Sequence, residues 1–388
     1  MTRKTVLAFA LAAACLTAPA AAQADSIVYV KDHNIWLANP DGSGQYQVTL
    51  DGTADWAYGS PSQADDGTIV ARKGTDIVRM RQNGELLSSF DPPDTTDSAG
   101  QWIGGVPVDV AVSPDGSRVA YSYYTYNCPP GVSCGARYVT LYSSAAAATP
   151  ETTYGKLFRN SPSWVSNDRV LVFGGAMSQV NYDSPGGGTD DDVHWFDDID
   201  MFAPPTDLGD GELSRQGDRL VTIRSYGADS HLMFYKVGSL GSLPAYACNT
   251  GAEETLDGPS WSPDGAKVAF AHRDGIEVLP LPSVEAGCPG AGSGTVVLPG
   301  GSQPDWGPAA VNPGPRTGPV VTPPETKSPD TKTPAAKRKA SVAKCKTIAK
   351  KRKRARCIKK ARAVAKCKRS KQGKARARCI AKAKRRFA

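Results

Sequence analysis

The chain has 388 residues, 4 His, and 46 Lys and Arg against 38 Asp and Glu, a formal charge of +8. Beyond an N-terminal apolar run no stretch is long and apolar enough to span a membrane as a helix, and no His pair has H-E-x-x-H spacing, which sets aside helical membrane proteins and that class of zinc enzyme. Residues 336–388 hold 25 of the basic residues and no acid, leaving 21 basic against 38 acidic residues before them, so an acidic body precedes a very basic tail.

The N-terminus reads as a secretory signal over residues 1–24. Met1-Thr-Arg-Lys supplies the positive start, Val6 to Ala14 the apolar run, and Ala22-Gln23-Ala24 a small-x-small site cut before Asp25. Cys15 raises a lipoprotein alternative, with the Leu one position too early for a good lipobox. Short strand signals follow at Ile27 to Val30, at Asn34 to Asn39, and at Tyr46 to Thr49 after the turn Pro40-Asp-Gly-Ser-Gly44.

A repeat then dominates. Gly258-Pro-Ser-Trp-Ser-Pro-Asp-Gly-Ala-Lys-Val-Ala-Phe-Ala271 reads as a strand, an Asp-Gly turn and a second strand whose alternation predicts one buried face. Related stretches are Ser60 to Ala71, Val112-Ser-Pro-Asp-Gly-Ser-Arg-Val-Ala-Tyr121, Ser161 to Phe173, and Leu213 to Thr222. Their turn positions, Gly67, Gly116, Asn167, Gly217 and Gly265, are separated by 49, 51, 50 and 48 residues. Such a period predicts one four-stranded propeller blade per unit. Gln303-Pro-Asp-Trp-Gly-Pro308 opens a sixth unit whose outer strands are missing, and the N-terminal strands supply them. The expected fold is all-β: a six-bladed β-propeller over residues 25–308, closed by N- and C-terminal strands in one blade, which removes exposed sheet edges.

The Ser-Pro-Asp-Gly-x-Arg/Lys-Val-Ala repeat, with Asn34-Ile-Trp-Leu-Ala-Asn-Pro-Asp-Gly-Ser-Gly44 upstream, resembles that of TolB-type six-bladed propellers over about residues 26–308. The resemblance implies the propeller alone. TolB-like proteins carry an α/β domain ahead of it and act in envelope assemblies, whereas here the signal runs straight into strands, so a Tol-system role is not implied.

Eight of the nine Cys follow Cys15, an even set in an exported chain. Cys128–Cys134 and Cys248–Cys288 are predicted bridges. Asp190-Asp-Asp192, with Asp197, Asp198 and Asp200, is the one dense carboxylate run. It is a weak Ca²⁺ candidate, because it lacks the alternation of a calcium loop, and it reads first as a solvated acidic loop. Otherwise no cofactor is expected. Gly131-Val-Ser-Cys-Gly135 spells G-x-S-x-G but lies in the loop bracketed by Cys128 and Cys134 with no helix following, so it does not read as a nucleophile elbow. His33, His194, His231 and His272 read as strand or surface residues.

Residues 309–335, rich in Pro, Thr and Gly, read as an extended linker. Residues 336–388 read as a duplicated, Lys/Arg-rich helical tail: Ala343-Lys-Cys-Lys346 and Ala355-Arg-Cys-Ile-Lys-Lys-Ala361 recur 22 residues later. Its Cys suggest pairing as Cys345–Cys357 and Cys367–Cys379, favoured by Gly373, with the nested pairing Cys345–Cys379 and Cys357–Cys367 equally consistent with spacing. Zinc is disfavoured because no C-x-x-C occurs. Arg352, Lys353, Arg354, Arg356, Lys359 and Lys360, and their repeat partners Lys374, Arg376 and Arg378, are the candidate polyanion-binding residues. Without interleaved aromatic residues, sequence-specific nucleic-acid reading is not expected.

The functional expectation is an exported or envelope-associated, non-enzymatic binding or scaffold protein. Its propeller would bind a protein or small ligand, and its tail an anionic wall polymer or membrane surface. The rival is an extracellular lyase or hydrolase at the channel mouth, which a channel-facing acid, base and cation would favour. The repeat itself maintains the blades and gives no evidence of a binding site, so what it does not explain is the loop after Thr189 and the tail.

Overall fold

The computed structural model describes residues 25–97, 100–127, 135–150, 152–174, 179–183, 193–197, 208–225, 229–252, 254–281 and 294–316. By contacts the chain divides into residues 1–320 and 321–388, and the described residues all belong to the first unit.

Every named element is a strand, and the strands form six four-stranded antiparallel sheets. The N-terminal sheet takes β1 (Ser26–Lys31), β2 (Asn34–Ala38) and β3 (Tyr46–Gln47). The next takes β4 (Tyr58–Gln63), β5 (Ile69–Lys73), β6 (Asp76–Met80) and β7 (Leu86–Phe90). A two-stranded ribbon of β8 (Thr95–Thr96) and β9 (Trp102–Ile103) leads to β10 (Asp109–Val112), β11 (Arg118–Asn127), β12 (Gly135–Ser144) and β13 (Tyr154–Leu157). Then come β14 (Asn160–Ser166), β15 (Arg169–Phe173), β16 (Gln179–Asp183) and β17 (Val193–Asp197). The following sheet is β18 (Leu208–Leu213), β19 (Arg219–Arg224), β20 (His231–Lys236) and β21 (Ala245–Asn249). The last is β22 (Asp257–Trp261), β23 (Lys267–His272), β24 (Gly275–Pro280) and β25 (Thr295–Pro299). Finally β26 (Ser302–Gly307) returns to pair with β1, so the N-terminal sheet has the order β26-β1-β2-β3.

Neighbouring sheets meet in sequence order, and the first strands β4, β10, β14, β18, β22 and β26 contact one another round a closed cycle. Each of the six junctions has its own apolar cluster. Val28 and Leu37 meet Ile69 and Val78; Ala64 and Val70 meet Val119 and Leu141; Ala120 and Tyr142 meet Val170 and Val172. Leu171 and Phe196 meet Leu220 and Tyr235; Phe234 and Cys248 meet Trp261 and Val268; Ala269 and Leu298 meet Ile27 and Trp306. The chain is therefore an all-β propeller, and this packing corrects one expectation. On β23 alternate side chains do not divide into a buried and a solvated face, since Val268 packs toward one neighbouring sheet and Ala269 toward the other, both fully buried. A middle strand stacked between two sheets has no wet face.

The turns of the repeat close by a shared device. Ser262 Oγ donates to Asp264 Oδ1 at 2.6 Å and accepts from Lys267 N at 2.8 Å, while Gly265, at φ 69°, places its N–H 2.8 Å from Ser262 O. Ser113, Asp115, Gly116 and Arg118 repeat it. In the copy at Leu213 the carboxylate comes from Asp218 instead, 2.9 Å from Ser214 Oγ. In these three copies the Ser and the left-handed Gly are shared, while the residue after the Ser and the source of the carboxylate vary.

Ring closure depends on both ends of the chain. Ile27 pairs with Trp306 and Val28 with Asp305. Trp306 is buried, and its Nε1 donates to Asp25 Oδ2 at 3.1 Å. The first residues of the expected linker stay on the ring. Ala309 O accepts from Ser26 Oγ at 2.7 Å, Asn312 N donates to Gln82 Oε1 at 2.7 Å, and Arg316 donates to Gln47 O at 2.6 Å while lying over the Tyr46 ring.

Candidate functional site

The six first strands surround a cavity of about 440 Å³, lined by residues of every one of them. Aligning these strands on the Pro-x-Trp of the repeat shows how each wall is built. The x position holds Ser62, Ala111, Ser163, Glu212, Ser260 and Asp305 in ring order. Two residues earlier stand Ser60, Asp109, Ser161, Asp210, Gly258 and Gln303. Both tiers line the cavity.

The earlier tier has unusual backbone. Ser60, Ser161, Asp210, Gly258 and Gln303 have φ of 42°, 45°, 37°, 58° and 51°, and each lies at a break in the pairing between its strand and the next strand of its sheet. Four of the five are not Gly, so each stores strain that the fold must offset. On β10 the register continues unbroken from Asp109 to Val112. A bulge turns the backbone amide along the ring, where the preceding strand supplies an acceptor. Ser60 N donates to Gln303 Oε1 at 2.9 Å, Ser161 N to Asp109 Oδ2 at 3.2 Å, and Gly258 N to Asp210 Oδ2 at 2.7 Å. Long acceptors alternate with Ser, Ser and Gly around the tier, each reaching one strand forward. Gly258 is required twice over, because a Cβ there would lie 3.2 Å from Pro304 Cδ in a conformation L-residues avoid.

The x tier is tied in the same direction. Val112 N donates to Ser62 Oγ at 3.1 Å, Trp306 N to Ser260 Oγ at 2.9 Å, and Gln63 N to Asp305 Oδ2 at 2.5 Å. The Trp of the motif reaches back: Trp164 Nε1 donates to Ala111 O and Trp261 Nε1 to Glu212 O, both at 3.0 Å. The motif is therefore a staple between sheets, and its small polar x residue is what faces the channel.

Five carboxyl groups gather here. Burial raises Asp109 to about 6, with Asp257 adding and Arg72 and the Ser161 amide opposing. Burial followed by the charges of Asp257 and Asp109 raises Asp210 to about 8. Burial and then Asp305 raise Glu212 to about 8, against the pull of Ser260 and Arg215. Asp257 and Asp305 are also raised, chiefly by burial. These shifts favour the protonated form, which would let the channel donate hydrogen bonds as well as accept them. Clusters of titratable groups displaced toward neutrality are a mark of functional sites. Two cations stand by. Arg72, opposite Gly59 on β5, opposes the rise of Asp109, and Arg215 extends from the turn after β18.

The first strand of the repeat thus carries these carboxyls, of which the repeat motif itself gave no evidence. Of the candidates named from sequence, Cys248 is buried on β21. Cys128, Cys134, Cys288, Cys345, Cys357, Cys367 and Cys379 lie outside the described residues, as do Asp190, Asp191 and Asp192, and Arg352, Lys353, Arg354, Arg356, Lys359, Lys360, Lys374, Arg376 and Arg378. Among the described residues no group of three or more His, Cys, Asp or Glu is placed to hold a metal ion. The four His are not among the lining residues, and His272 Nδ1 lies 2.8 Å from Glu277 Oε1 on the neighbouring strand. A column-by-column reading of the repeat, attending to where Ser gives way to Asp or Glu, would have found Glu212 and Asp305.

No family model and no curated protein matches the chain. Solved structures similar to it include TolB from Acinetobacter baumannii, 14% identical over 74% of this chain and 67% of that one with a TM-score of 0.48. Others are a functionally unknown protein from Desulfotomaculum acetoxidans (9% identical, 71% and 98%, TM-score 0.44) and an oligogalacturonate lyase in complex with manganese (10%, 64% and 68%, TM-score 0.40). At these identities the likeness concerns the fold, and the propeller rests on the chain's own strand pairing and junction packing.

Proposed function

We propose that this chain is an exported six-bladed binding protein, each four-stranded sheet a blade, and that its ligand sits in the axial channel. The observation that carries the reading is the convergence of Asp109, Asp210, Glu212, Asp257 and Asp305 on one cavity. Such a wall suits a small ligand rich in hydrogen-bond donors, an ammonium group foremost, because a cation offsets the burial that chiefly raises these carboxyls and the repulsion that adds to it at Asp109, Asp210 and Glu212. A bound cation would displace their protons, so its affinity should climb from pH 6 to pH 9. A neutral polyol would show no such climb.

The test is thermal shift and calorimetry with spermidine and with cellobiose, on the parent and on Asp210→Asn/Glu212→Gln. The reading expects a response in the parent that the double variant loses. Equal responses in both would remove the channel from consideration. The basic tail, on this proposal, holds the protein to anionic envelope polymers, and a chain ending at Ala335 should then leave cell walls at low salt.

One observation favours a second reading. Glu212 and Asp305 stand as acid and base beside the cation Arg215, the trio that a lyase or hydrolase would need. Turnover of an acidic oligosaccharide that disappears in Glu212→Gln would establish it over simple binding.

A further inference from the structure

Arg215 and Asp65 occupy the same place in the repeat. Both follow the first residue of a turn, Ser214 and Ala64, where the other well-kept copies have Pro114 and Pro263. Their strands, β18 and β4, are separated by two others in either direction round the cycle, so the two turns face each other across the ring. Yet Arg215 Nη1 lies 2.7 Å from Asp65 Oδ1. The ion pair therefore crosses the mouth of the channel. Directly inward lie Glu212 and Asp305, on both of which the Arg215 charge acts. Asp65 N is held in turn by Pro114 O at 2.8 Å, which fixes the Asp65 backbone to the next blade. The side chains are 34% and 49% exposed, so the pair is solvated on its outer side and can part without leaving a buried charge.

We propose that Arg215 and Asp65 form a gate across the turn-side mouth of the channel, closed when the pair is made, so that a ligand reaches the carboxyls through the opposite mouth. Opposite charges at one repeat position on facing blades are the sequence signature of the device. A Pro, as in the other copies, has no side chain long enough to span the ring. Arg215 also places a fixed positive charge over the acidic channel, so the closed mouth repels small cations that the channel would otherwise draw in. The gate rests on the channel as the ligand site for its biological meaning, but its test needs no ligand.

Ser161 and Ser163 lie two residues apart on β14, and both line the channel, Ser163 nearer the turn-side mouth. Each would be replaced singly, Ser161→Cys or Ser163→Cys, in the full chain, and labelled with a cationic methanethiosulfonate. Labelling is read in the tryptic peptide 160–169, which has no native Cys. In Arg215→Gln, which removes both the bar and its positive charge, the labelling rate at 163 should rise about tenfold relative to that at 161, and in Asp65→Asn, which parts the pair but leaves the Arg215 charge, it should rise by less. The charge swap Asp65→Arg/Arg215→Asp should return the ratio to the parent value. A ratio unmoved by both single changes overturns the gate. So does a swapped pair that melts like the parent and keeps a high ratio. A failed gate leaves the spermidine and cellobiose tests standing, because those variants touch neither Asp65 nor Arg215.

Discussion

Replacing Asp210 by Asn removes a charge and leaves an oxygen to accept from Gly258 N, so the bulge and the link between blades should survive. What changes is the electrostatic load. Held at about 8 by burial and by Asp257 and Asp109, the carboxyl binds its proton far more tightly folded than unfolded. A group raised in this way stabilises the fold fully below its unfolded value near 4, and that contribution is lost as pH rises through about 8. Fully enclosed, it would carry a penalty of several kcal/mol when ionised; it opens on the channel, and solvent screening reduces the expected gain from Asn to roughly 1–2 kcal/mol at pH 9. At pH 4 both side chains are neutral and the gain should vanish. Urea unfolding of parent and variant at the two pH values measures the difference. Equal effects at pH 4 and pH 9, or a loss of stability at pH 9, would refute the description of the channel as crowded with protonated carboxyls.

Trp261→Ala should cost about 3–5 kcal/mol, since it empties a buried site against Phe234 and breaks the link to Glu212 O; urea unfolding gives the value, and a cost below 1 kcal/mol would contradict the staple. Gly258→Ala should cost more than Gly265→Ala, about 1–2 kcal/mol, because both sit at positive φ but a Cβ at 265 meets the movable end of Gln216 whereas one at 258 meets the rigid ring of Pro304. Asp25→Ala should lower the melting temperature by a few degrees through loss of the bond to Trp306, an effect absent if ring closure does not depend on the N-terminus. Mass spectrometry of the non-reduced protein should find Cys248 bonded to Cys288, and alkylation of either in the folded oxidised chain would exclude that bridge.

The repeat made much of this architecture readable. Its turn Gly residues mark the period, and the echo at Trp306 points to closure with Ile27. That information is local: a Gly at positive φ and a strand of given length need no knowledge of partners. The channel carboxyls were hidden for the opposite reason. Asp109, Asp210 and Asp257 are far apart in sequence and each reads alone as an ordinary polar residue; only closure of the ring brings them within electrostatic reach. The same holds for Asp65 and Arg215, where departure from Ser-Pro-Asp-Gly looks like wear until the two turns are seen to face each other. Even the alternation in Lys267 to Phe270 misleads, because a sheet packed on both sides has no solvent face to report.

The most direct test of the channel as the functional site is calorimetric titration of spermidine at pH 6 and pH 9 into the parent, into Asp210→Asn/Glu212→Gln, and into a chain ending at Ala335. Binding should strengthen toward pH 9, disappear in the channel variant and be unchanged without the tail. Binding that persists in the channel variant would contradict it.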